Sequence, residues 1–558
     1  MTTSPARTAV PAVNIVRAVY ENVEADPART AIVLPDGRDS AGRLKYVHYS
    51  YEQLATECNQ LASGLQQTGI RRGMRTVLMV KPSFEFFSLI FAMFKSGIVP
   101  VMIDPGMGLA NLKTCLAEAR PEAFVGITKA HLARLALGWS KDSIKHLVTV
   151  GAKLGWGGLS LDQVRNAGAG SPIDGVANTR SEEMAALLFT SGSTGVPKGV
   201  VYNHGNFVAQ IAFLRKIFQL GENEVDLATF PPFALFDPAL GMTSVIPDMD
   251  PTKPAEVVPA NIFDAIERYG VTHMFGSPAL LNRISRAGVD QGITLPSLRR
   301  VLSAGAPVPY QTLARMRRML PPDAEIYTPY GATECLPVTT IASRTILEET
   351  HELTGQGAGV CIGSPVAGMD VRIIAIDDAP IANWDESLVV PDGTIGEIVV
   401  KGPNVTVAYF NRPQSTFLAK IQDGGSVRHR MGDLGYFDAE GRIWFCGRKT
   451  HRVITPDETL YTIPCEAVFN THADVYRCAL VGVVRQGVTF PVICVELESK
   501  PSHHREQIKL DLLELAAKHP HTRKIRHFLF HPGLPVDIRH NSKIFREKLA
   551  VWADKELP

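Results

Sequence analysis

The stretch "FTSGSTGVPKG", residues 189–199, gathers hydroxyls, glycines and one lysine in a form suited to holding anions. Thr190, Ser191, Ser193 and Thr194 offer hydroxyl donors. Gly192 and Gly195 let successive backbone N–H groups face one concavity, and Lys198 brings a positive charge. Together they suit a polyphosphate. An ordinary glycine- and serine-rich surface turn has the same composition. The spacing is not that of the G-x-x-x-x-G-K-[ST] nucleotide loop, because the glycines stand too close to the lysine and Gly199 follows it.

Three further stretches place polar groups among apolar strands: "IYTPYGATECLP" (326–337), "RMGDLGYFDAEGRIWFCGRKT" (430–450) and "DIRHNSKIFREKL" (537–549). Tyr330 can lay its ring on a purine, Thr333 can donate to a phosphate, and Glu334 is a hard oxygen ligand for Mg²⁺. Asp433 is suited to accept both hydroxyls of a ribose, and Arg448 to fork toward a sugar or phosphate. Lys543 sits in a polar loop near the end of the chain. Taken singly, each has a structural alternative: a core tyrosine, a surface glutamate, an aspartate in a turn, solvated cations.

The elements that must carry these residues read as α/β. Residues 185–189 have the length of a buried strand, and the serines, threonines and glycines that follow cannot continue it. Upstream, "TVLMV" (76–80) reads as a strand, Pro82 opens a helix that runs to Lys95, Gly97 caps it, and "VPVMI" returns as a strand. The alternation recurs at "AFVGI", "HLVTVG" and "VTHMFGSPALLNRISRAG", which favours largely buried parallel strands. Between residues 369 and 447 the texture changes. "VRIIAID", "GEIVVKG", "VAYFN" and "GYFDAEGRIWFCG" are short runs between turn residues and predict a small antiparallel sheet. Beyond it, "CALVGVVRQ", "FPVICVELES" and "REQIKLDLLELAAKH" predict a separate small α/β domain. The expected organisation is a large N-terminal domain, 1–448, of α/β subdomains with the β-rich part at about 369–447. A small mobile C-terminal α/β domain, 449–558, would follow and carry Lys543.

Composition sets the outer bounds. The 558 residues exceed what one core usually organises. Lysine plus arginine (57) nearly balances aspartate plus glutamate (56), so no overall charge recruits nucleic acid. The eight cysteines form no C-x-x-C pair, which fits a reducing compartment without a zinc site or disulfide framework. Pro11 and Asn14 interrupt any signal-peptide core, so no export is expected. The most apolar window, "FEFFSLIFAMFKSGIVPVMI", is broken by Glu85, Ser88 and Lys95 and falls short of the about 18 clean apolar residues of a transmembrane segment.

Taken in order, "FTSGSTGVPKG", "SAGAP" (303–307), "YGATE", the Gly432–Asp433 pair, the Gly447–Arg448 pair and a near-terminal lysine resemble the adenylate-forming superfamily of acyl-CoA synthetases, luciferases and peptide-synthetase adenylation domains. The resemblance implies an enzyme that uses ATP and Mg²⁺ to join a carboxylate to AMP, with loss of pyrophosphate. Position by position, it implies that Thr190, Ser191, Gly192, Ser193, Thr194, Gly195 and Lys198 hold the β- and γ-phosphates. Gly305, Ala306 and Pro307 would line the adenine with Tyr330 and Gly331, Thr333 would contact the α-phosphate, and Glu334 the magnesium. Asp433 and Arg448 would hold the ribose. Lys543 would be the catalytic cation, bridging two anions that must be brought together. The roles expected to bear on rate are those of Lys543, Glu334, Thr333 and Lys198.

Departures from the common pattern bear on the second step. Many CoA ligases of the superfamily carry a histidine where "PPFALFDPALGM" has Ala234, and the segment after Arg448 lacks both the acidic hinge and the glycine of a pantetheine channel. The combination resembles the β-lactone synthetases of bacterial long-chain olefin biosynthesis. That resemblance implies a 2-alkyl-3-hydroxy fatty acid as substrate, whose own β-hydroxyl closes on the activated carbonyl. It also implies a cytoplasmic enzyme that works beside a thiolase, a ketoreductase and a β-lactone decarboxylase. Phe233, Ala234, Phe236, Phe275 and Gly276 are candidates for an apolar substrate pocket, though core packing would use the same side chains. His204, Asp237, His451 and His540 are candidates for the base that takes the hydroxyl proton. A long-chain acyl-CoA synthetase and a nucleotide-binding scaffold without activity are the alternative readings.

Overall fold

The computed structural model describes residues 13–173, 175–189, 197–536 and 544–557. The chain divides into two compact units, Met1–Asp248 with Ala265–His273 and Thr406–Thr416, and Met249–Asp264 with Met274–Val405 and Phe417–Pro558.

The first unit is built on a seven-stranded sheet in the order Leu159–Ser160, His146–Val150, Ala123–Ile127, Arg75–Met79, Val99–Met102, Met184–Phe189 and Gly199–Asn203. All its pairings are parallel except the last, where Met184–Phe189 and Gly199–Asn203 run antiparallel. The helix Phe84–Ser96 shows how local sequence sets the architecture. The Ser83 side chain accepts the Phe86 N–H at its start, and Gly97, at φ +67°, ends it in a left-handed turn that a side chain would strain. From Phe86 onward every residue of this helix is buried, as its nearly continuous apolar run requires. Lys95 is the exception in chemistry but not in position: its ammonium bonds Asn59 and lies 4.1 Å from the centre of the Tyr20 ring. In the same unit Thr30–Arg38 pairs parallel with Thr243–Val245, which pairs parallel with Val225–Ala228.

The second unit contains the parallel strands Arg300–Leu302 and Glu325–Ala332, the latter folding back as an antiparallel hairpin onto Cys335–Ala342. A six-stranded antiparallel sheet follows, formed by Val360–Cys361, Ile443–Arg448, Ser426–Phe437, Gly396–Lys401 and Asp370–Ile374, with Lys420–Asp423 beside Ser426–Phe437. Nearer the chain end, Val475–Arg485 and Val488–Leu497 form an antiparallel pair that His527–Phe530 extends in parallel. Alternation along Val475–Arg485 separates two cores. Cys478 and Leu480 pack with Phe469, Ile508 and Leu512, whereas Ala479, Val481 and Val483 pack with Leu549 and Ala553. Period-two geometry sends neighbouring side chains to opposite faces, and helices cover both.

The α/β reading therefore holds, with the antiparallel sheet where the change of texture predicts it. One segment differs. "VAYFN" (407–411) joins no strand of that sheet: Tyr409 makes an isolated bridge to Val200, and the segment belongs to the first unit. Its backbone pairs instead with the strand Gly199–Asn203: the Val201 N–H donates to the Ala408 carbonyl at 3.1 Å and the Phe410 N–H to the Gly199 carbonyl at 2.7 Å. All eight cysteines are buried and unpaired. Burial pushes their thiols up, Cys361 to about 11 and Cys446 to about 12. Among the described residues no helix is long and apolar enough to cross a membrane.

Candidate functional site

In the second unit, the strand Arg300–Leu302 ends where Leu302 pairs in parallel with Tyr327, so that the loop 303–307 leaves the sheet beside Glu325–Ala332, within which Tyr330 stays paired with Thr339. Open α/β sheets place ligands at this carboxyl edge. Gly305 takes φ +94°, while Gly305 and Pro307 are exposed and Ala306 is half-buried. Gly331 is required by crowding: a Cβ there would come within 2.6 Å of the Cys335 carbonyl oxygen and 2.8 Å of a Leu336 methyl group. Ala332 pairs with Cys335, so Thr333 and Glu334 form the two-residue tip of the hairpin, both half-buried.

The antiparallel sheet supplies the opposing pair. Asp433 and Arg448 are cross-strand partners, and Arg448 Nε lies 3.1 Å from Asp433 Oδ1. The Tyr330 hydroxyl donates to Asp433 Oδ2 at 2.6 Å. Burial raises the Asp433 carboxyl above its ordinary value, while Arg448 and the Tyr330 hydroxyl pull it down. Burial, reinforced by the Asp433 charge, pushes the Tyr330 phenol well above its ordinary value, so it remains a donor. Glu334 lies close enough to Asp433 to disfavour its charge. Tyr330, Glu334, Asp433 and Arg448, taken from two sequence stretches, are thus one electrostatic cluster.

Lys420 belongs to the same cluster and is absent from the sequence-level candidates. It is buried at the start of Lys420–Asp423, where desolvation lowers its ammonium to about 8 against the favourable pull of Glu334. Asn404, fully buried, supports the hairpin from behind by donating to the Pro337 carbonyl at 3.0 Å and accepting from Cys335 Sγ at 3.5 Å. Neither carries a local signal, because a single lysine or asparagine in a short polar run reads as solvated. Among the described residues no three His, Cys, Asp or Glu side chains cluster as a metal centre. A lone Glu334 carboxylate nevertheless fits magnesium, which commonly takes one or two protein carboxylates and fills its shell with water and phosphate oxygens.

Lys198 lies in the first unit, just ahead of Gly199–Asn203, with its ammonium 4.9 Å from the centre of the Tyr409 ring. Thr190, Ser191, Gly192, Ser193, Thr194 and Gly195 lie outside the described residues, as do Lys543 and His540. Of the pocket candidates, Phe233 and Ala234 end the short helix Pro231–Ala234, and Phe236 precedes the helix Asp237–Leu240. The Phe233 ring meets Phe230 edge-on at 5.2 Å, and Phe236 tilts against Phe207 at 6.2 Å. In the second unit Phe275 ends its strand, and the Gly276 N–H donates to the Leu302 carbonyl at 2.9 Å.

The candidate bases separate by environment. Burial lowers the His204 ring to about 4, leaving it weakly basic. His451 is also lowered to about 4 by burial and by Arg546 and Arg448, although its Nε2 stands 3.5 Å from Glu547. Asp237 is hydrogen-bonded to a second carboxyl, that of Asp226.

Comparison with known proteins shows the family. The family described as AMP-binding enzyme matches residues 19–410. The chain is 54% identical over 98% of both chains to an olefin beta-lactone synthetase of Stenotrophomonas maltophilia (strain K279a). It is 53% identical, over 95% of both chains, to an olefin beta-lactone synthetase of Xanthomonas campestris pv. campestris. Among solved structures, the anthranilate CoA ligase AuaEII in complex with anthranoyl-AMP shares the fold with a TM-score of 0.78 at 20% identity, covering 98% of each chain.

Proposed function

The chain belongs to the AMP-binding enzyme family and is an adenylate-forming ligase, and from that premise we propose that it activates a long-chain 2-alkyl-3-hydroxy fatty acid and closes it to a β-lactone. In the first step a carboxylate oxygen of the acid attacks the α-phosphorus of ATP. The bond to the bridging oxygen breaks, and pyrophosphate leaves. In the second, the β-hydroxyl oxygen attacks the activated carbonyl, its proton passes to a base, and the bond to phosphate breaks with release of AMP. No second substrate enters, because the nucleophile is already tethered at high effective concentration.

The chain's own residues divide this work. Asp433, oriented by Tyr330 and Arg448, accepts from the ribose hydroxyls. Gly305, Ala306 and Pro307 border the adenine, and Thr333 donates to the α-phosphate. The loop 190–195 and Lys198 grip the outer phosphates, and Lys543 draws the acid carboxylate and the α-phosphoryl oxygens together. Glu334 would hold magnesium, whose charge offsets that of the phosphates and the departing pyrophosphate. Phe233, Ala234, Phe236, Phe275 and Gly276 border the alkyl arms. The proposed partners are a thiolase and a ketoreductase that supply the acid, and a β-lactone decarboxylase that consumes the product.

The observation that carries this reading is the 54% identity over 98% of both chains to an enzyme named for lactone formation. Ala234, standing where many CoA ligases of the superfamily bear a histidine, supports it. Incubation with ATP, Mg²⁺ and a 3-hydroxy acid without CoA tests it. Release of AMP matched by lactone is the expected result; a strict requirement for CoA would establish an acyl-CoA synthetase instead.

A further inference from the structure

Beside the segment that carries Phe233 and Phe236 lies a row of four hydrogen-bonded side chains that the acid-activating step described above leaves unused. His273 Nδ1 lies 2.5 Å from Asp226 Oδ1, Asp226 and Asp237 are hydrogen-bonded to each other, and the Ser244 hydroxyl donates to Asp237 Oδ2 at 2.7 Å. None of the four is more than 5% exposed. Asp226 and Ser244 are register partners on adjacent strands, and Asp237 opens the helix immediately after Phe236.

Two carboxyl groups bonded to each other away from water need a proton between them, since two adjacent anions repel and neither is solvated. His273, 2.5 Å from Asp226 Oδ1, can offset at most one of the two charges, and the other neighbours bond elsewhere. Tyr51 donates to the Met242 carbonyl at 2.8 Å, and the Arg29 guanidinium stacks over the Tyr51 ring at 4.8 Å. Asn22 and Arg215 bond the backbone carbonyls of Pro238 and Ala239 rather than the carboxyls. Glu224, just ahead of the strand Val225–Ala228, accepts from the Thr272 hydroxyl. Glu222 lies 3.9 Å from Arg29.

We propose that Asp226 and Asp237, flanked by His273 and Ser244, form a proton-locked clasp that fixes the Phe233–Phe236 segment and so sets affinity for the acyl substrate. Asp226 and Asp237 are positioning residues: they act through the aromatic wall they anchor. While the pair holds its proton, Asp237 ties the segment to two strands. When the proton leaves, the two anions part and the wall loosens. Burial raises both carboxyls, so the proton is retained well above the ordinary carboxylate range.

The inference rests on the acyl-activating reading but not on lactone formation, so the assay is acid-dependent pyrophosphate release, which lactone synthesis and CoA ligation share. Asp226→Asn and Asp237→Asn keep the geometry: an amide oxygen accepts from His273 or Ser244, and the amide N–H₂ donates to the remaining carboxylate. For the parent, KM for the acid is expected to rise about tenfold between pH of about 6 and about 9, with kcat and KM for ATP changing less than about threefold. Either asparagine variant is expected to match the parent at the acid end and to lose the alkaline rise. Asp237→Ala is expected to raise KM for the acid throughout.

A second arm needs no substrate. A carboxyl raised on folding lends stability that is full below its unfolded value and is lost as pH climbs through the folded one. The parent's Tm is therefore expected to fall over that window, and the fall to shrink in the asparagine variants. An alkaline rise in KM that persists in both variants, or Tm profiles that superimpose on the parent's, overturns the clasp. If no fatty acid supports pyrophosphate release, the proposed function fails, and the clasp stands or falls on the melting profiles alone.

Discussion

Arg546 sets both terminal nitrogens on the Glu466 carboxylate, Nη1 to Oε1 at 2.6 Å and Nη2 to Oε2 at 3.0 Å. The same carboxylate accepts the Leu480 N–H at 2.8 Å, and Nη1 also reaches the Leu480 carbonyl at 3.3 Å. Burial raises Glu466 above its ordinary value and the Arg546 charge pulls it back. The pair fixes the chain three residues after Lys543, at the first residue of the helix Arg546–Glu556.

Removing one member of a buried pair leaves an uncompensated charge and costs about 3–5 kcal/mol. Arg546→Met is therefore expected to lower the urea midpoint and, by releasing the anchor beyond Lys543, to slow pyrophosphate release. A variant with the parent's urea curve and rate would show the anchor to be dispensable.

Tyr330→Phe deletes a single hydroxyl that donates to the buried Asp433 carboxylate. Hydrogen bonds to charged groups contribute about 1.5–3 kcal/mol, so KM for ATP is expected to rise about ten- to a hundredfold. KM for the acid should stay near the parent's. Steady-state titration of each substrate separates the two effects.

Glu334→Gln keeps the shape of the hairpin tip but removes its charge. The magnesium concentration that gives half-maximal pyrophosphate release is expected to rise about tenfold, on the scale by which altered metal surroundings weaken binding. Chelation of divalent cations should abolish release by the parent. An unchanged magnesium curve for the variant would move the metal away from Glu334.

His204 is 1% exposed, at the start of the helix His204–Phe218, and its ring faces Phe94 edge-on at 6.5 Å. Burial depresses it from 6.5 to about 4, with Glu183 opposing and Arg72 adding to the shift. The sign follows: the folded state resists protonation, so the stabilising contribution is present above the unfolded value of 6.5 and is lost as pH falls through about 4. The loss is of the order of 3 kcal/mol. Urea unfolding between these limits is expected to show the decline in the parent and a flatter profile in His204→Asn.

The elements that local chemistry specifies were legible in the amino-acid order. Ser83 and Gly97 mark the ends of a buried helix, and the alternation of Val475–Arg485 marks a strand covered on both faces. Tyr330, Asp433 and Arg448, far apart in the chain, do converge. What escaped was decided by distant partners. The segment 407–411 has the composition of a strand, yet its neighbours are Lys198 and Val200. Lys420 and the Asp226–Asp237 pair are charges inside the protein, where hydropathy patterns predict none. The interactions that make their burial tolerable come from other strands.

The sequestered cysteines have a practical corollary. Every thiol is inside and held protonated, so thiol-directed reagents find no natural target on the folded surface. A cysteine introduced at one exposed position, such as Leu510 or Val551 on helices of the C-terminal region, would take a fluorophore or spin label selectively. Whether that region moves during turnover can then be followed without first stripping the parent of its own sulfurs.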